Sequence, residues 1–317
     1  MPWPPPLSAR WTALALFLFA LALHLFVAMG GAIAGLDFKL LIIADELGAI
    51  LLAPVLFTIL LGLRMSDAFL FRSAHWGHYV IAGAAAIPLQ LFGGALQEIV
   101  LDFTPGGEEW RQLLEDALAP LLSGNTTYDV LLLMFGGVVL AAVCEEILFR
   151  GLLMQLLARG GRWWFAINVS AVLFAVFHLD FIGLIPRTIL GIYFGVLVWR
   201  SGSIFPAMVA HAANNLLAFG LSPGDTSAEP PTLLQAGILG LVSAIVFLGM
   251  MALYVRLTPR ALAFEPSKSK DTGGGSSDSD LPPEVELPGP DPATSVPAPT
   301  DSAARQDSTH HTDPHES

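Results

Sequence analysis

The chain has 317 residues, 54% of them apolar and only 13% charged, against roughly 45–50% and 25% in an ordinary soluble domain. This excess, gathered in runs of about 20 residues, indicates an all-α, polytopic membrane bundle and excludes a compact soluble domain. The net charge is −12, but Ala261–Ser317 holds eleven Asp/Glu and three Lys/Arg, so the tail carries −8 and the remainder −4. No basic stripe is present, which excludes nucleic acid as a partner. Cys144 is the single cysteine, so intramolecular disulfides and thiolate metal clusters are excluded.

In chain order, residues 1–10 form a short N-terminus, and about eight transmembrane helices are predicted. They lie near 11–34, 40–63, 77–101, 129–158, 163–180, 183–200, 203–220 and 233–257. Ala32-Ile33-Ala34 resembles a signal-peptidase site, yet the apolar run before it exceeds the 7–15 residues or so of a signal core, so a retained helix is expected. His24 in that helix reads as filler. In the second span Asp45 and Glu46 lie about 8–9 Å from the outer start, counted at 1.5 Å per residue. They are expected at the headgroup interface, and so is Glu98 near the end of the third span. "GGEEWRQLLEDALAPLL" reads as a surface helix, with Glu108 and Glu109 in its first turn and Leu113, Leu114 and Leu118 at roughly helical spacing.

These segments divide the chain into N-terminal membrane helices with the surface helix (11–128), a core (129–220), a last membrane helix (221–260) and a Pro/Ser-rich acidic tail (261–317). The tail cannot bury enough apolar surface to offset ordering entropy and is expected to be disordered. Its His310, His311 and His315 read as an ordinary polar end. With the N-terminus inside, Arg10, Arg64, Arg72, Arg159, Arg162, Arg200, Arg256 and Arg260 are cytoplasmic, whereas Lys39, Arg111 and Arg187 lie outside. This bias predicts both termini in the cytoplasm and a multi-pass protein of the cell membrane.

The fourth span contains "AAVCEEILFRG". Glu146 and Arg150 are four apart, share a helix face and can neutralise one another. Glu145 points about 100° away and meets only Leu148 and Phe149 at i+3 and i+4, so it needs a partner from another helix. An unpaired carboxylate at membrane depth is by default a functional residue. The fifth span places Phe174 and His178 one turn apart, and the seventh places His211 and Asn215 likewise. Glu145, His178 and His211 lie about 21, 24 and 17 Å in from the predicted cytoplasmic ends, so tilt can bring them to one level. A carboxylate, two imidazoles and an amide are what water-dependent hydrolysis requires: a base for water, groups to orient it, and donors for an oxyanion. Gly191 and Gly195 form small-xxx-small spacing suited to close helix packing. Cys144 lacks a base four residues away and is expected only to pack.

Glu145-Glu146-x-x-x-Arg150, Phe174-x-x-x-His178 and His211-x-x-x-Asn215, in that order, resemble the three motifs of the CPBP intramembrane protease family. That family includes CAAX prenyl endopeptidases and bacteriocin-processing or immunity proteins, also called Abi proteins. The resemblance covers about residues 129–220 and implies an intramembrane endopeptidase acting on a membrane-associated polypeptide. Carried over, Glu145 activates water beside His178, His211 and Asn215 stabilise the oxyanion, and Glu146, Arg150 and Phe174 support the site. The family has been described both as a zinc metalloprotease and as using a metal-free glutamate. If metal is used, Glu145, His178 and His211 are the candidate ligands; the absence of H-E-x-x-H rules out a zincin site. The metal-free route is the expectation. The alternative is a non-catalytic membrane binding or bacteriocin-immunity protein using the same pocket. A small transporter is disfavoured because no inverted repeat of interrupted helices is present.

Overall fold

The structure is a computed structural model and describes residues 3–122, 126–159, 162–221 and 231–258. The acidic tail, the three terminal histidines and Arg260 lie outside the described residues. Among the described residues every regular element is helical. They form α1 (Pro6–Ile33), α2 (Phe38–Leu60), α3 (Trp76–Phe103), α4 (Gly107–Leu122) and α5 (Thr127–Ala158), followed by α6 (Trp163–Phe177), α7 (Leu184–Ser201), α8 (Phe205–Leu221) and α9 (Leu233–Leu257). Five of these, α1, α2, α3, α5 and α9, are long and apolar enough to cross a membrane. The chain is a multi-pass membrane protein. Between them α6, α7 and α8 are shorter, at 15, 18 and 17 residues.

Local chemistry sets the helix ends. Asp37 caps α2 by accepting from the amides of Lys39 and Leu40 at 3.0 and 3.3 Å, and capping boxes open α5 (Thr126 with Asp129) and α9 (Thr232 with Gln235). α7 stops at Gly202, whose left-handed backbone (φ 67°) lets its amide reach the carbonyl of Val198 at 2.9 Å. The fifth span was expected to run to residue 180, but α6 ends at Phe177. His178 is its C-cap, and Leu179 turns left-handed at φ 53°. Asp180 then accepts from the amide of Gly183 and pairs with Arg187, fixing the turn into α7.

α9 and α8 pack along α3, and α6 packs along α7. The buried face of α1, with Ala9, Ala13, Leu16, Phe17 and Ala20, belongs to the same core as Leu148, Phe149 and Leu152 of α5. α4 is tied back to α3 by Arg111, which reaches Glu98 at 2.7 Å, while Leu113 and Leu118 stay exposed. Two helices are not regular throughout. α2 carries a π-helical stretch at Glu46–Leu51, and α5 carries two, Met134–Leu140 and Ile147–Leu153. Such wide turns re-aim the side chains around them and recur at functional sites. Those in α5 flank the one α-helical segment between them, Ala141–Glu146.

Candidate active site

Glu146 and Arg150 form the closed half of the centre. Both side chains are fully buried, with Nη1 of Arg150 2.8 Å from Oε1 of Glu146. The same oxygen accepts from Nδ1 of His211 at 3.0 Å, and Nη2 of Arg150 donates to the carbonyl of Gly191 at 3.0 Å. The guanidinium also lies over the rings of Phe174 and Phe194, 4.5 and 5.2 Å from their centroids, a contact that stabilises a desolvated cation. Four helices thus meet on one ion pair.

Gly191 makes this possible. A Cβ there would sit 2.8 Å from the Cα of Ala171, so only glycine lets α7 approach α6 and present its carbonyl to Arg150. At Gly195 a Cβ would meet Ile167 at 3.0 Å. The close packing expected from the small-xxx-small spacing is the observed contact.

Glu145 forms the open half. Its Oε2 has no hydrogen-bond partner and stands 3.8 Å from Nε2 of His178 and 3.8 Å from Nε2 of His211. These distances exceed a direct hydrogen bond and are short enough for a water to bridge Glu145 to each imidazole. His178 is 28% exposed and Glu145 10%, so His178 marks the side from which the centre is reached.

Both imidazoles are oriented through Nδ1. His178 donates to the carbonyl of Phe174 at 2.9 Å, and His211 donates to Glu146, which leaves both Nε2 atoms directed at Glu145. Phe174 packs edge-on against His178 and His211, with centroids 4.8 and 5.8 Å apart, and Phe194 stacks on His211 at 4.8 Å. Asn215, one turn beyond His211, donates to the carbonyl of Gly137 at 3.0 Å; its amide is on the π-helical stretch of α5 rather than beside Glu145. Cys144 is a buried free thiol within the packing.

No three His, Cys, Asp or Glu side chains converge closely enough to hold a metal ion among the described residues. No step below is routed through a metal.

The family model described as Type II CAAX prenyl endopeptidase Rce1-like matches residues 127–217, from the first residue of α5 into α8. Over that segment the chain is similar to this family of CAAX-type membrane proteases. No curated protein matches it. The matched segment contains all three motifs.

Three residues outside that segment face other helices of the bundle, which bears on two expectations. Glu46 does not face outward to solvate itself at a headgroup: it is 4% exposed within the bundle, and its Oε2 has no partner. Asp45 is paired with Nδ1 of His24 at 2.7 Å, and His24 is not filler, because its ring also packs on Phe177, 4.8 Å between centroids. A depth count along α2 treats the helix as straight and lipid-facing. The π-helical stretch beginning at Glu46 and the packing of α1 and α5 against it turn these acids inward. The adjacent pair Asp45-Glu46 inside an apolar run was the available signal.

Proposed function

We propose that this protein is an intramembrane endopeptidase of the CAAX type, hydrolysing a peptide bond of a membrane-associated polypeptide by carboxylate-activated water in the cell membrane. The observation that carries the reading is Oε2 of Glu145: buried, without a partner, and faced at 3.8 Å by two imidazole nitrogens from two other helices. A structural carboxylate at membrane depth would be paired, as Glu146 is.

In this reading Glu145 takes a proton from water as the water oxygen attacks the scissile carbonyl carbon. When the C–N bond breaks, Glu145 returns that proton to the leaving nitrogen. The tautomers divide the work of the two histidines. Each Nδ1 is committed as a donor, so a neutral ring offers only a lone pair at Nε2. An imidazolium is needed to donate from Nε2 to an oxyanion. Nδ1 of His211 donates to the carboxylate of Glu146, whereas that of His178 leans on a neutral carbonyl. We therefore assign His211 to the oxyanion and His178 to holding the water. Asn215 fixes the height of α8 against α5 in the resting state, and its donation to the oxyanion requires release from Gly137.

The test uses purified full-length protein in liposomes with a fluorogenic CAAX-type peptide, prenylated and unprenylated. Cleavage by the wild type that is lost in Glu145→Gln supports the reading, and preference for the prenylated form narrows the substrate. Binding of either peptide without cleavage would favour the non-catalytic binding protein instead.

A further inference from the structure

Three arginines at one corner of the bundle have no counter-charge. Arg10 lies near the start of α1, Arg159 follows the last residue of α5, and Arg162 is the N-cap of α6. α1 packs against the last turn of α5, which brings the three together. Arg10 and Arg162 both lie over the ring of Phe165, 5.4 and 5.8 Å from its centroid, and Arg159 lies over Trp3 at 5.5 Å.

Neither stretch of chain supplies an acid: no Asp or Glu occurs between Met1 and Leu36 or between Ile147 and Leu179. Among the described residues none of the three forms an ion pair. The Nε atoms of Arg10 and Arg159 are buried with no hydrogen-bond partner. Other arginines are engaged: Arg72 pairs with Asp67, and Arg200 donates to the carbonyls of Val255 and Thr258 at 2.8 and 2.6 Å. An excess of arginine on one side of a membrane protein is general. It does not require two guanidinium groups to share one ring, or buried N–H donors to go unmet.

Two cations on one ring repel, and a buried donor without an acceptor is costly. Both costs are relieved by an anion with several acceptor oxygens, and a phosphate matches the fork of a guanidinium. The neighbouring side chains indicate a phosphate carried by a lipid. Trp11 and Trp164, each within two residues of one of these arginines, are 66% and 57% exposed, and indoles at the ends of membrane helices sit among headgroups.

We propose that Arg10, Arg159 and Arg162 bind the phosphate of an anionic phospholipid at the corner of α1, α5 and α6. The bound lipid joins α1, outside the matched segment, to the helices that lead to Glu145 and His178. The proposal does not depend on the chemistry at Glu145.

Native mass spectrometry of the full-length protein in detergent, titrated with phosphatidylglycerol or phosphatidylcholine, tests it. The wild type should retain phosphatidylglycerol at about tenfold lower lipid concentration than phosphatidylcholine. Arg162 is exposed, so Arg162→Gln should fold, and it should weaken retention of phosphatidylglycerol by about fivefold. Changing all three arginines to Gln should abolish the preference. Arg64→Gln, at another exposed arginine, should leave it as it was. Equal retention of the two lipids by the wild type, or the same loss in Arg64→Gln as in Arg162→Gln, would overturn the proposal. Displacement of the lipid by inorganic phosphate at about millimolar concentration would make the ligand a free phosphate and overturn the lipid assignment. Faster protease trimming of Ala261–Ser317 in the triple variant, with lipid retention unchanged, would make the acidic tail the occupant instead.

Discussion

Glu145 and Glu146 are adjacent, carry the same side chain and leave the same helix, yet their surroundings are opposite. Glu146 is held by Arg150 and His211 within a shell of Phe174, Phe194 and the Gly191 carbonyl. Glu145 has two nitrogens near it and no hydrogen bond to its Oε2. One carboxylate has its interactions nearly saturated and fixes four helices. The other keeps its interactions in reserve for a molecule that arrives. A site of this kind needs both, because an orphan charge stays in place only when its neighbours are rigid.

The contrast predicts a separation of effects. Glu145→Gln should lower peptide cleavage by about 10²–10⁴-fold, the scale of a lost general base, with the amount and thermal midpoint of the membrane protein unchanged. Activity assays and melting curves on one preparation check both halves. Arg150→Ala should instead cost about 3–5 kcal/mol, since it strands Glu146 as an uncompensated buried charge. Its signature is a lower folded fraction in membranes, and Glu146→Gln should move in the same direction. Gly191→Ala should cost about 1–3 kcal/mol by forcing α7 from α6, with the carbonyl of residue 191 drawn away from Arg150; a midpoint equal to wild type would show that the contact is not tight. Arg111→Ala, at the partly exposed tie between α4 and α3, should cost under about 1 kcal/mol and leave cleavage as it was.

Much of this arrangement was legible from spacing. The i,i+4 pair Glu146–Arg150, the need of Glu145 for partners on other helices, the close approach at Gly191 and the surface helix after the third span all follow from helical periodicity and the cost of buried charge. What spacing could not give depends on departures from the regular helix. Glu46 turns inward where α2 widens into a π-helical stretch. α6 ends three residues early because Leu179 adopts a left-handed backbone, a conformation for which leucine carries no sequence signal. The pairing of His24 with Asp45 joins two helices whose polar residues each look isolated when read alone. Asn215 was expected beside the reacting centre, and its amide is instead engaged by a carbonyl of α5.

The most direct test of the division between the two glutamates compares protein termini, by mass spectrometry, in membranes of cells expressing the wild type or Glu145→Gln at matched levels. The account predicts new termini with the wild type that are absent with the variant, while both proteins accumulate equally. Identical termini in the two membranes would contradict it, and Glu145 would then be a binding residue rather than a base.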